Sequence, residues 1–268
     1  MPVIIHQGKR IHYEASGAGP ALLLLHAFPL SARTFDAQRK ALADICQVIT
    51  PNLRGMGQSD AVPGPALLHD LAQDNFALLD ALGIERAVVG GVSWGGYVAM
   101  AMLREDPTRV AGLILMNTHA RADDAEGRAG RERTAHQVFE KGMEVLVESL
   151  LPRLLAPTAA PELRERVAAE IRRNNPAGAA SALLGMAERP DARELLSRYA
   201  GSALVVAGET DAIVPLERSE ELASLLRCEL ATFPSGHLTH LECSEALNTR
   251  LREFLSGLAA SFHAEASG

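Results

Sequence analysis

The feature of this sequence that most constrains its fold is a Gly-x-Ser-x-Gly segment between an apolar run and a helical pattern. The segment reads GVSWG at residues 91–95, with Ser93 at its centre. Residues 87–90 before it are apolar, and residues 97–103 after it favour a helix. A serine at the apex of such a turn is held in strained geometry, and the flanking glycines let strand and helix approach. We therefore expect the Ser93 hydroxyl to project into a crevice at the N-terminus of a helix, which favours developing negative charge.

Apolar runs recur along the chain in the order expected of an α/β protein. Residues 21–25, 87–90 and 110–116 are continuous apolar runs, typical of strands that are covered on both faces of a parallel sheet. Residues 68–82 have helical apolar spacing and end at Gly83. The pattern predicts a mostly parallel sheet with helices on both faces. It also predicts strands at 3–5, 10–14, 47–50, 203–207 and 229–233, and a helix at 245–258.

The composition changes after about residue 118. Residues 121–198 are rich in Arg, Glu, Ala and Leu, are interrupted by prolines, and predict about four helices without a strand. We therefore expect a core made of residues 1–119 and 196–262, with a small helical cap, residues 120–195, inserted late in the sheet. Helices inserted there can cover the crevice at the C-terminal ends of the strands, where ligands bind.

A serine hydroxyl needs a base in contact with it to act as a nucleophile at neutral pH. In a fold of this type the nucleophile, the acid and the histidine follow one another in that order. Asp211 lies just after the strand predicted at 203–207, and His237 lies just after the strand at 229–233. We expect both to converge on Ser93, with His237 as the base and Asp211 as the residue that orients it.

Other residues compete for these two roles. Glu209, two positions before Asp211, could serve as the acid, and Asp211 could be a solvated loop carboxylate. His240 and His26 compete with His237 as the base, although His240 is expected to pack or to form hydrogen bonds. A metal pair of His237 and His240 has no third ligand in the sequence, so no metal site is predicted.

Acyl transfer also needs hydrogen-bond donors for the oxyanion that forms on the substrate. One donor is expected from the backbone N–H of Trp94, the residue after the nucleophile. The second is expected from the N–H of Phe28, in the loop 26–29 that follows an early strand. The alternative for this loop is a simple turn without a chemical role. The polar loop 52–59 is interpreted as a turn that supports the site.

Composition limits the partners and cofactors that we expect. With 26 Lys and Arg against 33 Asp and Glu, the chain has a net charge of −7, which disfavours nucleic acid. No run approaches 18 apolar residues and no secretion signal is visible, which predicts a cytoplasmic protein without a membrane span. The three cysteines show no metal spacing, and no dinucleotide fingerprint is present. We expect no cofactor, and oligomeric state is not predicted.

These segments together resemble the α/β-hydrolase superfamily over residues 3–258. The matching stretches are LHAFP at 25–29, LRGMGQSD at 53–60, the turn at Ser93, GETD at 208–211, and Gly236-His237 with Glu242 beyond. Within the superfamily the chain is similar to the cofactor-free esterase, 3-oxoadipate enol-lactonase-like and haloperoxidase-like group, which has a small helical cap. The stretches that resemble this cap are 117–118 with 125–128, and 175–176 with 185–189.

Two departures from the family pattern bear on the substrate. The family usually has His-Gly before the oxyanion residue, where this chain has His26-Ala27. The family also usually has Asp-x-Arg-Gly-His-Gly, where Asn52 and Met56 replace the Asp and the His. Fold and motif do not set the substrate, so the acyl and alcohol groups are not predicted.

The resemblance implies a serine hydrolase that cleaves small carboxylic esters or lactones through an acyl-enzyme. Carbon–carbon bond hydrolysis of a β-diketone-like substrate and perhydrolysis are alternatives with the same triad, and a ligand receptor is an alternative from another class. A lactone carrying a carboxylate would need a cation under the cap. Arg172 or Arg173 could supply it, unless both lie on a solvated helix face.

Overall fold

The computed structural model describes residues 2–265, with side chains described for residues 2–258. The strands are β1 (Val3–His6), β2 (Lys9–Ser16), β3 (Ala21–Leu25), β4 (Gln47–Pro51), β5 (Ala87–Val92), β6 (Val110–Met116), β7 (Ala203–Gly208) and β8 (Glu229–Phe233). The helices are α1 (Asp36–Leu42), α2 (Leu68–Ala81), α3 (Trp94–Glu105), α4 (Ala125–Lys141), α5 (Glu144–Leu154), α6 (Pro161–Arg172), α7 (Pro176–Ala187), α8 (Arg193–Ser197), α9 (Leu216–Leu226), α10 (Thr239–Glu242) and α11 (Ser244–Glu265).

The strands form one sheet in the order β1-β2-β4-β3-β5-β6-β7-β8. Strand β2 pairs antiparallel with β1 and β4, and all the other neighbours are parallel. Strands β3 and β5 are buried along their whole length, which is why their sequences are continuous apolar runs. This mostly parallel sheet with its helices confirms the predicted α/β-hydrolase fold.

Helices α4 to α8 lie between β6 and β7, so five helices follow β6 where about four were predicted. The additional one, α8, has only five residues. Helix α7 packs closely on loops of the core because it carries glycine at the contacts. A Cβ on Gly185 would overlap the carbonyl of Ala66, and one on Gly178 would overlap the backbone of Gly55. The division of the chain into a core and a cap at residues 120–195 stays a prediction.

A buried ion pair joins three segments on the β1 side of the sheet. Asp74 on α2 accepts hydrogen bonds from Arg54 Nε and Nη2 at 2.6 and 2.7 Å, and its Oδ1 lies 2.8 Å from His6 Nδ1. Both Arg54 and Asp74 are buried. Removing one partner of such a pair leaves an uncompensated buried charge, which is strongly destabilising.

We therefore predict that Asp74→Ala lowers the free energy of unfolding by about 3 kcal/mol, measured by urea denaturation. The matched control is Asp44→Ala, because Asp44 makes a similar two-bond pair with Arg252 on the surface. Exposed pairs contribute little, so the control should leave the denaturation midpoint almost unchanged. Equal effects of the two substitutions would contradict this interpretation.

Candidate active site

Ser93 occupies the turn between β5 and α3 in a conformation that few residues adopt. Its φ and ψ angles are +54° and −114°, outside the usual regions for a residue with a side chain. The surrounding backbone holds it there. The Ser93 N–H donates to the Met116 carbonyl at 2.9 Å, and the Ser93 carbonyl accepts from Gly96 N–H and from Thr118 Oγ1, each at 2.9 Å. The strain expected at this serine is therefore present in the structure.

Two glycines flanking Ser93 allow the close approach of strand and helix that this turn needs. A Cβ on Gly91 would overlap the backbone of Gly95. A Cβ on Gly95 would overlap the carbonyl of Leu25 at the end of β3. The start of α3 thus lies directly against the end of β3, which places the 26–29 loop beside Ser93.

His237 and Asp211 form a buried pair. His237 Nδ1 lies 2.8 Å from Asp211 Oδ2, and the two side chains are 2% and 1% exposed. The other carboxylate oxygen, Oδ1, accepts from the N–H groups of Ile213 and Val214 at 2.8 and 2.9 Å. A carboxylate bound by so many donors is fixed in orientation, so it holds the imidazole ring in one position.

The protonation of this pair follows from its surroundings. Burial alone would raise the pKa of Asp211, but the charge and hydrogen bond of His237 and the two backbone N–H groups outweigh it and lower that pKa. An ionised carboxylate only accepts hydrogen bonds, so the proton between them belongs to His237 Nδ1. The Nε2 atom of a neutral His237 is then free to accept a proton.

The structure brings the side chains of Phe28 and Trp94 together. The rings of Phe28 and Trp94 meet edge to face, with their centroids 6.0 Å apart. The loop is shaped by a turn in which Leu30 N–H donates to the Ala27 carbonyl at 2.9 Å. Within residues 2–265, neither the Phe28 N–H nor the Trp94 N–H donates to another protein group. Both can therefore bind an external acceptor.

The competing candidates lie elsewhere or have structural partners. Glu209 is exposed. His26 is fully buried, and its Nε2 accepts from Leu53 N–H at 3.0 Å, while burial lowers its pKa to about 4. His240 is also buried and packs on the Phe35 ring, with centroids 5.0 Å apart, and burial lowers its pKa to about 3. Asp211 alone of the two acids contacts His237.

The two arginines proposed as a cation under the cap are surface residues. Arg172 pairs with Glu144, and half of each side chain is exposed. Arg173 is 65% exposed. A different arginine, Arg189, is buried and binds both carboxylate oxygens of Asp123 at 2.6 Å. Its guanidinium lies 4.5 Å from the centre of the Tyr97 ring on α3. Arg189 thus connects the segment after α7 to helix α3.

The loop that carries His237 is bonded to the end of α5. His237 N–H donates to the Leu154 carbonyl at 3.0 Å. The Glu242 carboxylate accepts from Gly236 N–H at 3.0 Å and from Ala156 N–H at 2.8 Å. In the sequence Glu242 is recognisable only as part of a motif, because its partner Ala156 lies 86 positions away.

The three residues that depart from the family pattern are buried. Asn52 is buried, and its Oδ1 accepts from Ala32 N–H at 2.9 Å, which supports the turn after the 26–29 loop. Met56 and Ala27 are completely buried. This bond joins the 52–59 loop to the segment after the 26–29 loop, and the interpretation of the 52–59 loop as a turn that supports the site stays a prediction.

Two further properties concern the described part of the chain. Its side chains contain no cluster of three or more His, Cys, Asp or Glu residues that could hold a metal ion. None of its helices combines the length and the apolar character that crossing a bilayer requires.

Comparison with known proteins identifies the family. The α/β hydrolase fold family matches residues 20–243, so the chain belongs to the α/β-hydrolase family and is a hydrolase. 3-Oxoadipate enol-lactonase 2 of Acinetobacter baylyi is 27% identical over 90% of this chain and 91% of its own length. The structure is also similar to two solved structures, which confirms the resemblance to the esterase and enol-lactonase group.

These two structures cover nearly the whole chain. A thermophilic esterase from Thermogutta terrifontis is 38% identical, with a TM-score of 0.92, covering 96% of this chain and 97% of its own. The enol-lactonase from Burkholderia xenovorans LB400 is 25% identical, with a TM-score of 0.88, covering 95% of this chain and all of its own.

Trp94 is the only tryptophan of the chain, so its fluorescence tests the packing of this site. Its indole is completely buried, and its Nε1 has no partner among the described side chains. We predict a native emission maximum well to the blue of the urea-unfolded protein, with several-fold weaker quenching by acrylamide. Native emission that resembles the unfolded spectrum would contradict the placement of this ring between Phe28 and the core.

Proposed function

We propose that this hydrolase cleaves small carboxylic esters or lactones through a covalent acyl-enzyme on Ser93. The observation that carries the proposal is a strained serine at the start of α3, on a sheet that also carries the buried His237–Asp211 pair. The similarity to an esterase and to enol-lactonases over almost the entire chain supports the choice of substrate class.

In the proposed mechanism Ser93 Oγ attacks the substrate carbonyl while His237 Nε2 accepts its proton. Asp211 keeps the other proton on Nδ1 and stabilises the imidazolium that forms. The lowered pKa of Asp211 supports this role, because an ionised carboxylate stabilises a cation. His237 then gives its proton to the leaving alcohol, or to the ring oxygen of an opened lactone.

The negative charge on the carbonyl oxygen is stabilised in this proposal by the N–H groups of Phe28 and Trp94. Both lack a partner in the described part of the chain, and the Trp94 N–H lies at the first turn of α3, where the helix dipole favours negative charge. Water activated by His237 then releases the acid from Ser93. No step of this reaction requires a cofactor.

Residues 120–195 act in this proposal as a cap over the site. The bond from His237 N–H to Leu154 supports this, because it places the end of α5 against the base. Carbon–carbon bond hydrolysis and perhydrolysis would use the same triad. A panel of p-nitrophenyl esters and lactones of increasing chain length, with product analysis, distinguishes these reactions and defines the acyl group.

The nucleophile can be tested by covalent labelling. A fluorophosphonate probe should modify Ser93 alone, located by peptide mass mapping. Ser93→Ala should lower kcat roughly 10⁴-fold, because triad residues act as a unit. A probe adduct on any other residue, or a Ser93→Ala variant with near-normal turnover, would reject the assignment.

The acid can be tested with a matched pair of isosteric substitutions. Asp211→Asn should lower kcat by about 10³ to 10⁴-fold, because the amide would hold the imidazole in the wrong tautomer. Glu209→Gln, two positions away and exposed, is the control and should change kcat by less than about twofold. The reverse pattern would reassign the acid to Glu209.

A further inference from the structure

Asn117, the residue directly after β6, has a backbone conformation that is unusual for its type. Its φ angle is +48°, in the left-handed region that favours glycine. The residue is buried, and its N–H donates to the Val206 carbonyl on the neighbouring strand β7 at 2.8 Å. This conformation orients its side chain toward the loops that follow β7 and β8.

The Asn117 amide binds Asp211, the acid of the proposed triad, and Gly236, the residue before its base. Its Nδ2 lies 3.1 Å from Asp211 Oδ2 and 3.3 Å from the carbonyl of Gly236, the residue before His237. Both partners are acceptors, so the NH₂ group must face them. The Asn117 Oδ1 is buried without a partner among the described residues, so only the two donated bonds explain the orientation of this amide.

The Asn117 amide binds the same carboxylate oxygen of Asp211 that contacts His237. Asp211 Oδ2 accepts from both Asn117 Nδ2 and His237 Nδ1. A second donor on this oxygen takes up part of its negative charge, which weakens the attraction of Asp211 for an imidazolium. Removing that donor should therefore stabilise the protonated form of His237.

We infer that Asn117 is a positioning residue that sets the location and the basicity of His237 through Asp211 and Gly236. This inference rests on the proposed function, because it gives His237 the role of base. The Asn117 side chain touches neither the nucleophile nor the oxyanion donors in the described contacts, so its amide acts through Asp211 and Gly236, the two residues to which it donates.

The test uses Asn117→Gly, which deletes the amide at a φ angle that glycine adopts freely. We expect kcat for p-nitrophenyl acetate to fall about 10-fold, because the base is less well positioned, while KM changes less than about twofold. The acidic limb of kcat/KM, which reports deprotonation of His237, should move to higher pH by roughly 0.5–1 unit.

Asn117→Ala is the second variant, since it also removes both donated bonds but keeps a Cβ. It should move the acidic limb in the same direction. Asn75→Ala is the matched control. Asn75 is also a buried asparagine with an unpartnered Oδ1, and its amide binds only Leu71 within α2. Its pH profile should coincide with that of the wild type.

The rate of fluorophosphonate labelling is measured against pH for each variant. It distinguishes failure of the inference about Asn117 from failure of the proposed function. Labelling of Ser93 in all variants, with the limb displaced only in the Asn117 variants, supports the inference. Labelling of Ser93 with superimposable pH profiles, or with a limb displaced to lower pH, overturns the inference about Asn117 alone. A wild-type protein in which Ser93 is not labelled overturns the proposed function itself.

Discussion

The close approach of helix α3 to strand β3 is the constraint on which the rest of the site depends. Only glycine at position 95 permits it, because any side chain there would overlap the carbonyl of Leu25. This contact places the N-terminus of α3 beside the 26–29 loop, where the rings of Phe28 and Trp94 meet edge to face. It also keeps Ser93 in a strained conformation, which the hydrogen bonds from Thr118 and to Met116 stabilise.

The second half of the site is held by polar groups from distant parts of the chain. Three hydrogen bonds hold the Gly236–His237 segment. The Gly236 N–H donates to Glu242, and the Gly236 carbonyl accepts from the Asn117 amide. The His237 N–H donates to the Leu154 carbonyl. Because Leu154 ends α5, the position of His237 depends on the position of the helices after β6. The strained turn and this bonded loop together give the site a rigid frame, as accurate catalysis requires.

The parts of this structure that are predictable from the sequence are those with strong local signals. The bounds of β3, β6 and β8 agree with the strands that the sequence predicts, and the turn at Ser93 was evident from its glycines. The short helices α1 and α9, of seven and eleven residues, were not predicted. The contact of Asn117 with Asp211 joins residues 94 positions apart, so no local pattern could indicate it. Likewise, only tertiary packing distinguishes the exposed Arg172 from the buried Arg189.

The central claim is that hydrolysis proceeds through a covalent intermediate on the serine of this turn. The most direct measurement is rapid mixing with p-nitrophenyl acetate, acid quenching during turnover, and mass mapping of the peptides. The account predicts a burst of p-nitrophenol and an acetyl group on Ser93 that disappears as the substrate is exhausted. Continued hydrolysis with no burst and no acetylated protein, or with the acetyl group only on another residue, would contradict it.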